Sequence, residues 1–137
     1  MNPVDNVITK SYDSCNVNSI NEEDLIKKIM SEFKVIDYKE VYDFILEYNL
    51  VKLSVMVKKL LNKYFLNNDH YLRVYRDYEI EELDCLKFTV KVNLHKENVS
   101  DISDSIRKIN KELFIIKNQL EGFNKFFINA EVLWLLI

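Results

Sequence analysis

The sequence predicts an α+β fold: three N-terminal helices, then a β-hairpin–α–β unit whose small mixed three-stranded sheet carries the long C-terminal helix on one face. Three observations predict it. Leu86, Phe88, Val90, Val92 and Leu94 alternate without a slip against Lys87, Thr89, Lys91 and Asn93, the period of a strand with one buried face. Ile102, Ile106, Ile109, Leu113, Ile116 and Leu120 recur at helical spacing just downstream. A chain of 137 residues with one Gly and one Pro has few turn-formers, so long regular elements must make up most of it.

Residues 1–19 are polar and patternless and read as a flexible arm; residues 20–137 read as a single domain, with a helical half at 20–66 and a ββαβ half at 70–137. Ser19 and Glu22 have the spacing of a capping box, and Leu25, Ile26, Ile29, Met30 and Phe33 then share one helical face. The acids Glu22, Glu23 and Asp24 in that first turn complement the helix dipole. A second helix spans 37–48 through Val41, Phe44, Ile45 and Tyr48, and Asn49 suits the left-handed stop. A third, near 51–65, turns Leu53, Val57, Leu60, Leu61 and Tyr64 inward and Lys52, Lys58, Lys59 and Lys63 outward.

The strand at 70–76 pairs with 85–94 as a hairpin around the acidic loop 77–84. Keeping apolar side chains on one side puts Leu72 and Val74 on the face of Phe88 and Val90. Tyr71, Arg73 and Tyr75 then lie beside Lys87, Thr89 and Lys91 on the other. Asn98 or Ser100 caps the long helix, and Gly122 falls past its end, where a positive φ is needed. The last strand, 125–136, is parallel to 85–94 through a right-handed crossover, and the hairpin partner sits between the two. Because Leu133, Leu135 and Ile137 add a second apolar side, the strand needs cover on both faces, with N-terminal helices supplying part of it.

Composition excludes several function classes. A formal charge of −3 gives no overall attraction to nucleic acid or anionic membrane. No apolar run reaches the roughly 20 residues of a membrane span, and the N-terminus has no secretory pattern. Two cysteines seventy positions apart, Cys15 and Cys85, make no disulfide framework, so a cytoplasmic setting is expected. Glycine loops, Cys-x-x-Cys and His-Glu-x-x-His are absent, and no motif calls for a cofactor or marks a catalytic residue.

Three functional readings remain. The first is a non-enzymatic protein acting through protein–protein contact, as a homodimer or a component of a complex. Its expected interface is the apolar end of the chain at Trp134, Leu135 and Ile137, which would otherwise meet water. The second is nucleic-acid binding by the aromatic and basic face of Tyr71, Arg73, Tyr75, Lys87 and Lys91, where rings stack bases and cations meet phosphates. The third is metal-assisted phosphoryl transfer in the acidic loop. An extended backbone would project Asp77, Glu79 and Glu81 to one side as an oxygen-ligand set for Mg²⁺ or Mn²⁺; the competing reading is a solvated loop whose charge discourages edge pairing.

Overall fold

Among the described residues a four-stranded mixed sheet organises the molecule. The computed structural model describes residues 21–93 and 99–133. Elements follow in the order α1 (Glu22–Met30), β1 (Lys34–Val35), α2 (Tyr38–Tyr48), α3 (Val51–Tyr64), β2 (Asp69–Tyr75), β3 (Cys85–Asn93), α4 (Val99–Ile115) and β4 (Phe126–Leu133). The α+β class is as the sequence predicts. The 1–19 arm and Ser19 lie outside the described residues.

Sheet order is β1-β2-β3-β4. β2 and β3 are antiparallel, with Leu72 opposite Phe88, Val74 opposite Leu86 and Arg73 opposite Lys87. That is the register the hydrophobic alternation demands. β4 runs parallel to β3, with Phe88 beside Ile128 and Lys87 beside Phe127.

Two features differ from the sequence reading. Among the described residues the sheet has four strands and not three, because Lys34 and Val35 add a short strand parallel to β2. Two residues carry too little periodicity to be seen in advance. In addition the hairpin partner β2 does not lie between the two long parallel strands: β4 pairs with β3 directly, and β3 stands between β2 and β4. The composition of β3 suits an inner place: Cys85 and Thr89 on the side away from the helices are buried, though less completely than Leu86 and Val90 on the other.

Local signals set the helix ends. Asn21, and not Ser19, caps α1, its side-chain oxygen accepting the Asp24 N–H at 2.8 Å. Asp37 caps α2 from a left-handed conformation, and Asn49 ends it in the same region at φ 54°. After α4 the chain passes through short 3₁₀ turns at Lys117–Gln119 and Phe123–Lys125, the second entered through Gly122 at φ 68°.

Among the described residues the four helices pack on the same side of the sheet. One core joins Ile26 and Ile29 of α1, Phe44 and Ile45 of α2, Leu53 and Leu61 of α3, and Ile109 and Leu113 of α4. The sheet supplies Leu72, Val74, Leu86, Phe88, Val90, Val92 and Ile128 to it, all from one face. The expectation that N-terminal helices cover the opposite face is therefore corrected. Along the described part of β4 that face carries Phe127, Asn129 and Glu131, which do not require a second layer. Each large apolar side chain sealed in this core contributes about 2 kcal/mol relative to exposure, so the two-layer arrangement follows from where the apolar positions fall.

Candidate functional site

A partly exposed apolar seam runs between α4 and β4. β4 ends the sheet, so its outer backbone groups have no strand beside them among the described residues. Ile109 and Leu113 of α4 are fully buried, whereas Ile102 and Ile106 are only partly covered and Val99 is 49% exposed. The inward stripe of the helix is thus buried at Ile109 and Leu113 and more open toward its N-terminus. An open groove of about 420 Å³ results, lined by Val99, Ile102, Ile106, Ile128, Ala130 and Val132 with Ser103 and Asn129. The edge position of β4 leaves the first two turns of the α4 stripe only partly covered. Trp134, Leu135 and Ile137, the interface residues expected from the sequence, lie outside the described residues, and β4 leads directly to them.

The helix-free face of the sheet brings together Tyr71, Arg73 and Tyr75 from β2 with Lys87 and Lys91 from β3, as the register predicts. It adds two residues that sequence reasoning missed, Lys34 of β1 and Phe127 of β4. The rings are not equivalent. Lys91 Nζ stands 4.2 Å from the centre of the Tyr71 ring and Lys34 Nζ 5.7 Å from it, so cations already occupy that ring. Tyr75 is 45% exposed and meets Phe127 edge to face at 6.1 Å between centroids. Lys87 Nζ lies 5.8 Å from the Phe127 ring. Beneath, the Thr89 hydroxyl donates to Asn129 Oδ1 at 2.7 Å, tying β3 to β4.

The acidic loop is arranged around its own backbone. Asp77 Oδ1 accepts the N–H groups of Glu79 and Ile80 at 2.9 and 2.8 Å, and Glu81–Leu83 forms a 3₁₀ turn. The extended array on which the metal reading of Asp77, Glu79 and Glu81 depended is therefore absent, because Asp77 folds the chain back after a single residue. Buried Asp84 closes the loop: Oδ1 accepts the Asp77 N–H at 2.7 Å and Oδ2 accepts from Arg76 at 2.9 Å. Arg76 in turn pairs with Glu40 of α2 at 3.2 Å. The backbone N–H of Asp77, with the Arg76 guanidinium, holds the Asp84 carboxyl below its usual range. Among the described residues no three His, Cys, Asp or Glu side chains converge as a metal set.

Lys58, expected on the outer face of α3, instead turns against the sheet. Its ammonium donates to Nδ1 of buried His70 at 2.7 Å, while the His70 Nε2–H donates to the Phe65 carbonyl at 2.8 Å. The same Nζ lies 4.7 Å from the Phe33 ring. Desolvation lowers the pKa of both groups. Cys85 is buried and its thiol is pushed up by desolvation, which argues against a nucleophile. Cys15 and His95 lie outside the described residues.

Comparison of the chain with protein-family models, with curated proteins and with solved structures finds no match. Among the described residues no helix is long and apolar enough to cross a membrane.

Proposed function

We propose that the chain is a small, cytoplasmic, non-enzymatic protein that works by protein–protein contact, and that the contact is a homodimer built along β4. The observation that carries this reading is the coincidence, among the described residues, of a sheet edge with no further strand beside it and an open apolar groove. An unpaired edge strand is a template for another strand, and natural proteins usually blunt one with charge, proline or a bulge. In β4 only Glu131 is charged among Phe126–Leu133, and proline is absent.

A second copy fits because the strand is complementary to itself when antiparallel. With Ala130 on a two-fold axis, Ile128 faces the partner copy's Val132 on the helix side of the sheet. Asn129 faces the copy's Glu131 on the other side, so no like charges meet. The small side chain at the axis lets the two grooves join, and the partner copy's α4 covers what one copy leaves open. This is an isologous interface of the commonest symmetry, formed by strand addition.

The test is the mass of the full chain by analytical ultracentrifugation at micromolar concentration. A dimer is expected. Ala130→Arg puts two guanidinium groups on the axis and is expected to give a monomer with an unchanged far-ultraviolet circular dichroism spectrum. A strictly monomeric unaltered chain would count decisively against self-association.

A further inference from the structure

We propose that the helix-free face of the sheet binds single-stranded nucleic acid, with Tyr75 and Phe127 stacking on bases and Arg73, Lys87 and Lys34 meeting phosphates. The inference goes beyond the β4 dimer and uses the opposite side of the sheet.

Charge distribution is the first argument. The chain carries −3 overall, yet this face holds four cations, Lys34, Arg73, Lys87 and Lys91, against two carboxylates, Asp69 and Glu131. Both carboxylates are engaged there, Asp69 with Lys34 at 3.1 Å and Glu131 with Lys91 at 3.9 Å. Within the acidic loop, Asp77 and Asp84 spend their oxygens on backbone N–H groups and Arg76.

The second argument is a cost without a structural return. Arg73 and Lys87 are direct cross-strand partners, and like charges so placed oppose pairing of the strands. Among the described residues neither has a carboxylate within ion-pair distance, so no ion pair within the fold offsets the repulsion between the two cations. A polyanion laid across the strands turns that repulsion into a binding contribution.

Shape supplies the third. Tyr75 and Phe127 belong to strands on either side of β3, yet their rings meet at 6.1 Å. They can do so because the residue of β3 opposite Tyr75 is Cys85, which is small enough to lie beneath. The result is a ring pair with Lys87 beside Phe127 and Arg73 next to Lys87 in the same cross-strand row. Rings with interleaved cations accept any base, since every base has a π-face. Tyr71 is excluded as a stacking site because Lys91 and Lys34 already cover it. Nothing on this face singles out a ribose hydroxyl, so DNA and RNA single strands are expected to bind alike, and a duplex, whose bases are already stacked, weakly.

The experiment is fluorescence anisotropy with fluorescein-labelled oligo-dT, oligo-rU and a duplex of equal length at low salt. Saturable binding of both single strands is expected, with a slope of log K against log salt of about −2 to −3 for three or four phosphate contacts. Tyr75→Ala is expected to weaken binding about tenfold or more, and Arg73→Glu with Lys87→Glu to abolish it. These side chains lie on the surface of the sheet, and circular dichroism checks that each variant is folded. Ala130→Arg, on the opposite face, is expected to bind as the unaltered chain does, so loss of the dimer and loss of this site are separate results. Absence of saturable binding, preference for the duplex, or indifference to the Arg73/Lys87 change would each overturn the proposal.

Discussion

Lys58 Nζ stands 2.7 Å from His70 Nδ1, and this contact fixes the charge state of the histidine. The Phe65 carbonyl can only accept, so Nε2 carries the proton; Nδ1 must then stay bare to accept from the ammonium. Protonating His70 would face one buried cation with another.

The folded-state pKa of His70 therefore lies below the ordinary 6.5, through desolvation first and the Lys58 charge as a smaller cause, although the Phe65 carbonyl pulls the other way. The unfolded chain takes up this proton at a higher pH than the folded one does. Stability is thus expected to fall as pH drops from about 6.5 toward the folded value. A histidine titration by proton NMR checks it directly. Lys58→Met, which removes the opposing charge, should move the His70 midpoint upward. A His70 midpoint at or above 6.5 in the unaltered protein would show the contact to be absent in solution.

Gly122 is predicted to tolerate no side chain. Its φ of 68° is strained for any L-residue, and a β-carbon there would overlap the Cδ2 of fully buried Leu50. Leu50 cannot yield easily, because it sits in the core at the joint between α2 and α3. Gly122→Ala is expected to cost about 2 kcal/mol or more, from overpacking and strain together, read as a lower urea midpoint. Leu50→Ala in the same background should relieve the overlap, so the two changes should cost less together than their separate costs added.

How far the sequence alone reaches is clear from particular residues. Strict alternation in β3 fixed the hairpin register down to Leu72 opposite Phe88, because any slip would expose a whole apolar set. Asn49 and Gly122 were legible as left-handed stops since few residues tolerate that region. Long-range choices were not legible. Which strand stands in the centre depends on pairing energies spread over two elements, and periodicity reports each element separately. The helix side was misjudged for a related reason: the demand came from residues 133–137, while Phe127, Asn129 and Glu131 ask for no cover. Of the candidate residues, Tyr71, Arg73, Tyr75, Lys87 and Lys91 do share a face. Lys34 and Phe127 joined them through strand order, which no local pattern encodes.

Ser54 offers a stabilising change. It is fully buried in α3, and among the described residues its Oγ is the buried side-chain polar atom without a hydrogen-bond partner. A buried hydroxyl left unpaired costs about 1–3 kcal/mol, and alanine is the better helix former. Ser54→Ala is expected to raise the thermal midpoint, corresponding to about 1 kcal/mol. A lower midpoint would mean that the hydroxyl has a partner in solution.

The acidic loop separates a structural carboxylate from a metal-binding one. If Asp84 serves the fold, its loss unties the Asp77 N–H and Arg76 together, and the Arg76–Glu40 link to α2 loosens with them. Asp84→Ala is expected to lower the thermal midpoint. Glu79→Ala and Glu81→Ala, on exposed side chains, should leave it nearly unchanged. The pH dependence has the opposite sign from that of His70. The Asp84 carboxyl is held below its ordinary value of 3.8, so its contribution is present above that pH and is lost as pH falls through the folded value. Added Mn²⁺ should not shift the midpoint, because Asp77 and Asp84 already spend their oxygens on backbone N–H groups and Arg76. Saturable Mn²⁺ binding by calorimetry that disappears in Glu79→Ala would instead require the loop to open into the extended array it does not adopt here.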